Sequence, residues 1–300
     1  MLRHRRVLHR LALAVVLLAA ALTCPAAEIA PSGGKDFLWK VYAPGATGNL
    51  LGSVHVLDST AYRSDGDFER AFQEAQIVVF ETDLDQLDSE KVQQSLLARG
   101  SYPDGETLRQ NVPKEVYSRV EEAARELGLP PEGFNRFRPW FCALTLANVE
   151  LAKLGFKPEK GVDRYFYEKA RSSGKKIIGL ETPADQVDLF AGMPPETQEK
   201  FLVQSLQDLK NARSQLKEII AAWEAGDSGK VESLLLRGLR EDPAIYRRLV
   251  VKRNLEWMKP LENLLAGDKS FLVVVGAAHF VGRDGLVSLL RGRGFKVEQF

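Results

Sequence analysis

The chain has 300 residues, with 41 basic and 40 acidic side chains, a formal net charge of +1, 4 histidines and 2 cysteines. Four of the basic residues fall within the first ten, so beyond residue 27 there remain 37 basic against 40 acidic residues, a net charge of −3. That balance excludes a surface built to hold nucleic acid or an anionic membrane face.

Residues 1–27 read as a secretory signal peptide. Arg3, Arg5, Arg6 and Arg10 form a basic start, and Leu11 to Leu22 is an apolar run too short to span a bilayer comfortably. Cys24-Pro25-Ala26-Ala27 follows, with cleavage expected after Ala26 or Ala27. Acylation at Cys24 is the lesser alternative, because Thr23 is a poor match for the small residue such a site wants. No other run is long enough for a membrane helix, so the mature chain is expected to be exported, periplasmic or secreted, without a transmembrane segment. Cys142 is then the one remaining thiol, which leaves no internal disulfide; its apolar neighbours mark it as a buried structural residue.

Phe37 to Tyr42 and Asn49 to Val56 read as strands joined by a turn at residues 44–48. Residues 65–75 form a helix with acids in its first turn, and residues 77–81 a buried strand. This βαβ unit places the strands ending at His55 and Glu81 parallel in one sheet. Residues 113–127, 139–153 and 161–172 read as helices, and residues 175–181 as another parallel strand. Residues 194–266 show helical apolar spacing (Leu216, Ile219, Ile220, Trp223; then Val231, Leu234, Leu235) and are taken as a helical insertion. Strand 271–275, helix 284–291 and strand 295–300 close the chain. The expected fold is α/β, or α+β: one domain over residues 28–300, with a mixed, largely parallel sheet built from the N- and C-terminal segments, flanked by helices.

Beyond the signal only His55 and His279 remain, and each ends the same phrase. One reads Leu51-Gly52-Ser53-Val54-His55, the other Val275-Gly276-Ala277-Ala278-His279: an apolar strand, a glycine, two small or branched residues, an imidazole. Glu81 and Glu181 likewise follow apolar strands directly. In open α/β sheets ligands collect beyond the carboxyl ends of the strands, so these four share one address. Glycine three residues before each histidine lets the backbone turn tightly or approach a ligand closely. Two imidazoles and a carboxylate are a donor set for a divalent metal (zinc, manganese or cobalt), with a second carboxylate as general base and an arginine for the developing oxyanion. Read alone, Glu181 before Thr182-Pro183 caps the next helix, and Arg253 belongs to a solvated basic face with Arg247, Arg248 and Lys252.

The chain resembles the TraB/GumN family, which includes the TIKI proteins. The resemblance rests on the two glycine–histidine phrases, on Val78-Val79-Phe80-Glu81-Thr82-Asp83, Arg138-Pro139-Trp140 and Gly161-Val162-Asp163, and on residues 174–182 with Gln186, Arg253-Asn254 and Phe280-Val281-Gly282. It implies a metal-dependent, peptidase-like hydrolase acting on a peptide or protein, with His55, His279 and Glu81 as metal ligands and Glu81 and Arg253 as catalytic groups. TIKI members look like manganese- or cobalt-dependent proteases. The erythromycin esterases look like distant relatives, which implies an alternative in which a histidine–glutamate pair activates water without a metal. A third reading is a non-catalytic protein of the cell envelope that binds peptide or polysaccharide in the same crevice.

Overall fold

Val273, Val274 and Val275 lie at the middle of a six-stranded sheet and are buried on both faces, as the unbroken apolar run of residues 271–275 requires. The structure, a computed structural model, describes residues 35–57 and 66–300; the signal segment, Cys24 and the first residue of the helix expected from 65 lie outside them. The strands are β1 (Leu38–Tyr42), β2 (Thr47–Ser53), β3 (Ile77–Phe80), β4 (Lys176–Gly179), β5 (Phe271–Gly276) and β6 (Lys296–Gln299), in the order β4-β3-β5-β2-β1-β6. The four strands from β4 to β2 are parallel neighbours, whereas β1 pairs antiparallel with β2 and β6. The sheet is therefore mixed, and both ends of the chain build it.

The βαβ reading holds for direction and sheet, and the structure adds a strand between its two halves. β2 and β3 run parallel in one sheet but do not touch, because β5 enters between them from the far end of the chain. Ser53 lies opposite Gly276 and Phe80 opposite Val274, so the three strands stop at one rim.

The helices are α1 (Asp67–Glu74), α2 (Glu90–Gly100), α3 (Lys114–Glu126), α4 (Pro139–Lys153), α5 (Val162–Ser172), α6 (Pro183–Ala191), α7 (Pro195–Asp208), α8 (Ala212–Glu224), α9 (Ser228–Leu236), α10 (Lys252–Leu265) and α11 (Leu286–Gly292), with single turns at Leu84–Leu87, Leu108–Asn111 and Pro243–Tyr246. Proline opens α4, α6 and α7, where its missing N–H has no helical partner to lose. Residues 194–266 contain no strand, as their spacing predicts, and Leu216, Ile219, Ile220, Trp223, Val231, Leu234 and Leu235 all face the core. α5 packs on β3, β4 and β5, and α7 lies along α4. Trp140 stacks on Phe190, which meets Phe201 at a tilt, joining α4, α6 and α7. Cys142 on α4 is buried, and burial pushes its thiol pKa far up. No helix among the described residues is long and apolar enough to cross a membrane.

Gly52 serves packing. A β-carbon there would meet the Phe37 ring at 2.4 Å and the Ala277 backbone at 3.2 Å, so the bare backbone lets the β2 and β5 ends close over Phe37. The Gly52 carbonyl accepts a 2.6 Å hydrogen bond from Trp223 Nε1, which ties the helical insertion to the strand leading to His55.

Candidate functional site

Two imidazoles and one carboxylate meet where β2, β5 and β3 end. His55 Nε2 lies 3.7 Å from Glu81 Oε1, and His279 Nε2 lies 3.9 Å from the same oxygen. The Gly276 N–H also donates to Glu81 Oε1 at 2.8 Å, so the second glycine–histidine phrase fixes the carboxylate through its backbone. His55 keeps 17% of its side chain exposed, whereas His279 is fully buried. The twin phrases thus deliver one imidazole to the mouth and one to the interior.

Arg253 is not on a solvated face. It is 2% exposed, and its five N–H groups have five acceptors. Nε donates to Glu181 at 3.0 Å; Nη1 donates to the Leu249 carbonyl at 3.2 Å and to His279 Nε2 at 2.9 Å; Nη2 donates to Glu81 at 2.5 Å and Glu181 at 2.6 Å. With all five engaged, none is left in this arrangement for a substrate oxyanion. A π-helical turn at Arg247–Val251 precedes α10, and the guanidinium satisfies the carbonyl of Leu249 within it. Glu181 does not cap α6; Thr182 does, in a reciprocal capping box with Asp185, and Glu181 turns to Arg253 instead.

The sequence reading assigned no role to two further residues that the fold brings here. Asp163, in the first turn of α5, lies 3.2 Å from His55 Nδ1. Asn254 Oδ1 lies 2.7 Å from His279 Nδ1. Both sit in motifs that carried the resemblance, and the signal that would have found them is physical: an imidazole held in one orientation needs an acceptor on its far nitrogen. Trp257, one turn along α10, meets the His279 ring at a tilt with centroids 4.5 Å apart and lies 4.6 Å beneath the Arg253 guanidinium.

Electrostatics separates the two histidines. Burial works against a charge on His55, but Asp163, and then Glu81, more than offset it and raise its pKa to about 9. Burial and the adjacent Arg253 lower His279 to about 3, so its ring is neutral at ordinary pH. Burial also opposes ionisation of Glu81, yet Arg253 and the histidines hold its carboxyl well below the usual range; Glu181 is raised by burial.

Gly161 seats His55. Its β-carbon would lie 2.4 Å from the His55 carbonyl oxygen, and the neighbouring Val162 N–H donates to the Val54 carbonyl at 3.0 Å. The φ at Gly161 is −59°, which alanine adopts freely, so Gly161→Ala is a purely steric test. It is expected to lower stability by about 1–3 kcal/mol, because backbone rather than a flexible side chain must move. A urea midpoint equal to that of the parent would show that the His55 segment is not seated this way.

Among the described residues, no group of three or more His, Cys, Asp and Glu side chains forms a ready metal site. Charge and donor type nevertheless suit a cation. The carboxylates of Glu81, Glu181 and Asp163 outnumber the Arg253 guanidinium and the His55 imidazolium, and both Nδ1 atoms are anchored so that each Nε2 faces Glu81, His55 being free to ligate once it gives up its proton. His55 and Glu81 are the residues that would hold an ion, with His279 joining only in exchange for its bond from Arg253.

Residues 37–299 match the profile of the TraB/PrgY/gumN family. The chain is 22% identical to the uncharacterized protein YbaP of Escherichia coli (strain K12) over 269 residues, covering 90% of this chain and 93% of that protein. It is 23% identical to metalloprotease TIKI2 of Danio rerio and 22% to metalloprotease TIKI1 of Homo sapiens, covering 89% and 88% of this chain but 62% of each relative. No solved structure matches. With the family profile spanning nearly its whole described length, the chain belongs to the TraB/PrgY/gumN family.

Proposed function

We propose that this chain is an exported hydrolase of peptide bonds, acting on a peptide or protein at the rim formed by His55, Glu81, Arg253 and His279. The observation that carries this reading is the convergence of both Nε2 atoms on Glu81 Oε1, each ring anchored at Nδ1, where three neighbouring strands end. The relatives named metalloproteases support the same reaction class. His55, the one imidazole of the pair with exposed surface, meets the substrate, while Asp163 orients its ring. Arg253 keeps Glu81 ionised and aimed at the two imidazoles. A manganese, cobalt or zinc ion, when bound at His55 and Glu81, would polarise the scissile carbonyl and acidify water.

The metal-free alternative is favoured by one contact, the bond from Arg253 Nη1 to His279 Nε2. In that reading water adds to the scissile carbonyl carbon while the His55 imidazolium gives its proton to the amine nitrogen and the C–N bond breaks; the proton shed by the water then restores the imidazolium, whose charge Asp163 stabilises.

Mass spectrometry of a peptide library incubated with the purified protein should reveal cleavage that disappears in His55→Ala. Activity lost on exhaustive chelation and restored by manganese or cobalt supports the metal; activity that survives supports direct proton transfer. Full cleavage by both His55→Ala and His279→Ala would remove this site from the reaction.

A further inference from the structure

The twin phrases receive different anchors at Nδ1, a carboxylate for His55 and a carboxamide for His279. A carboxamide presents either a donor or an acceptor, so its orientation has to be argued from its neighbours. Asn254 Nδ2 lies 2.8 Å from the Asp284 carbonyl oxygen and 3.2 Å from the His279 carbonyl oxygen. Both are acceptors only, which commits the amide nitrogen to them and turns Oδ1 to the ring. His279 Nδ1 must then be the protonated nitrogen. The opposite side of the ring gives the same answer independently: Arg253 Nη1 is a donor only, so His279 Nε2 must be its acceptor. Consecutive residues of one helix therefore grip the two nitrogens of one imidazole, and Trp257 supports its face.

We propose that Asn254 is a positioning residue that holds His279 in its Nδ1–H tautomer, keeping the Nε2 lone pair directed at the Arg253–Glu81 side of the site. Asn254 is 0% exposed and its side-chain hydrogen bonds go to His279 and Asp284, so it acts through His279. The proposal deepens the hydrolase reading and rests on it only for the effect on turnover. A role confined to pinning the loop 279–284 would need just the two Nδ2 bonds; the tautomer role needs Oδ1.

The test is a long-range proton–nitrogen correlation spectrum of the full chain labelled with 15N-histidine, with His4→Ala, His9→Ala and His55→Ala used to assign the signals. The wild-type spectrum should show His279 with Nδ1 protonated and Nε2 bare. Asn254→Leu should lose the hydrogen-bonded Nδ1–H signature, although Arg253 still favours a bare Nε2, and lower kcat on a cleaved library peptide by about tenfold to a hundredfold, with KM little changed. Asn254→Asp, which keeps an acceptor for Nδ1–H but gives up both carbonyl bonds, should retain the signature; a loop-pinning role predicts that it fails like leucine. A wild-type spectrum with Nε2 protonated, or with the two tautomers mixed, overturns the proposal, even where Asn254→Leu does not fold. The spectrum needs no substrate, so that outcome is distinct from an absence of hydrolysis.

Discussion

Arg253→Met is expected to lower folding stability by about 3–5 kcal/mol, because removing one partner of a buried ion pair leaves the other uncompensated. Here two partners are stranded: Glu81 and Glu181 each have 9% of the side chain exposed, and both rely on the same Nη2. His279 Nε2 and the Leu249 carbonyl lose their donor as well. Methionine fills much of the volume over Trp257, so the loss reports charge more than a cavity. The triple variant Arg253→Met, Glu81→Gln, Glu181→Gln should recover most of the stability while remaining inactive, since a buried charged cluster can be exchanged for neutral groups at little net cost. Urea unfolding of the three proteins decides it. An Arg253→Met midpoint within about 1 kcal/mol of wild type would mean that the carboxylates do not depend on the guanidinium.

Stability of the metal-free protein should trace a dome in pH with its top near 6.5, because the two histidines pull in opposite directions. His55 binds its proton more tightly folded, at about 9, than unfolded, near 6.5. Its contribution is complete below 6.5 and disappears as pH rises to 9, the interval in which only the folded state keeps the proton. His279 is depressed to about 3, so between 6.5 and 3 the unfolded chain takes up a proton that the folded one refuses. Stability therefore falls on acidification, and Glu81, held low by Arg253, steepens that limb below the ordinary carboxylate range. At about 1.4 kcal/mol per pKa unit the alkaline limb is on the order of 3 kcal/mol and the acid limb on the order of 5 kcal/mol. Asp163→Asn should flatten the alkaline limb and leave the acid limb in place. An alkaline limb unchanged by that substitution would mean that Asp163 does not hold the His55 proton.

What the sequence disclosed follows from how local each signal is. Helix 139–153 was legible to the residue, since proline opens it and a continuous apolar face sustains it. The address of His55, Glu81 and His279 was legible because an apolar run followed by a polar residue marks the end of a strand wherever that strand pairs. Their mutual placement was not, because β5 lies between β2 and β3 through a crossover that no local window contains. The single turns at Leu84–Leu87 and Leu108–Asn111 were too short to show a period. Arg253 illustrates the other limit. Among Arg247, Arg248 and Lys252 it reads as one more solvated cation, and only family resemblance singled it out. The π-helical turn that precedes it carries no simple sequence signature, and α10 buries it together with Asn254. Asp163 and Asn254 were in view as motif letters, but their task depends on which imidazole each one faces, and that is a property of the tertiary fold.

The position of β5 also governs when this protein can come into being during synthesis. β2 ends 218 residues, and β3 191 residues, before the strand that must seat itself between them begins. Until Phe271–Gly276 emerges, the nascent chain carries β2 and β3 with their β5-facing edges unsatisfied. A ribosome stalled before residue 271 therefore holds a polypeptide with neither a continuous sheet nor the rim where His55, Glu81 and His279 meet, and both wait for the last tenth of the sequence.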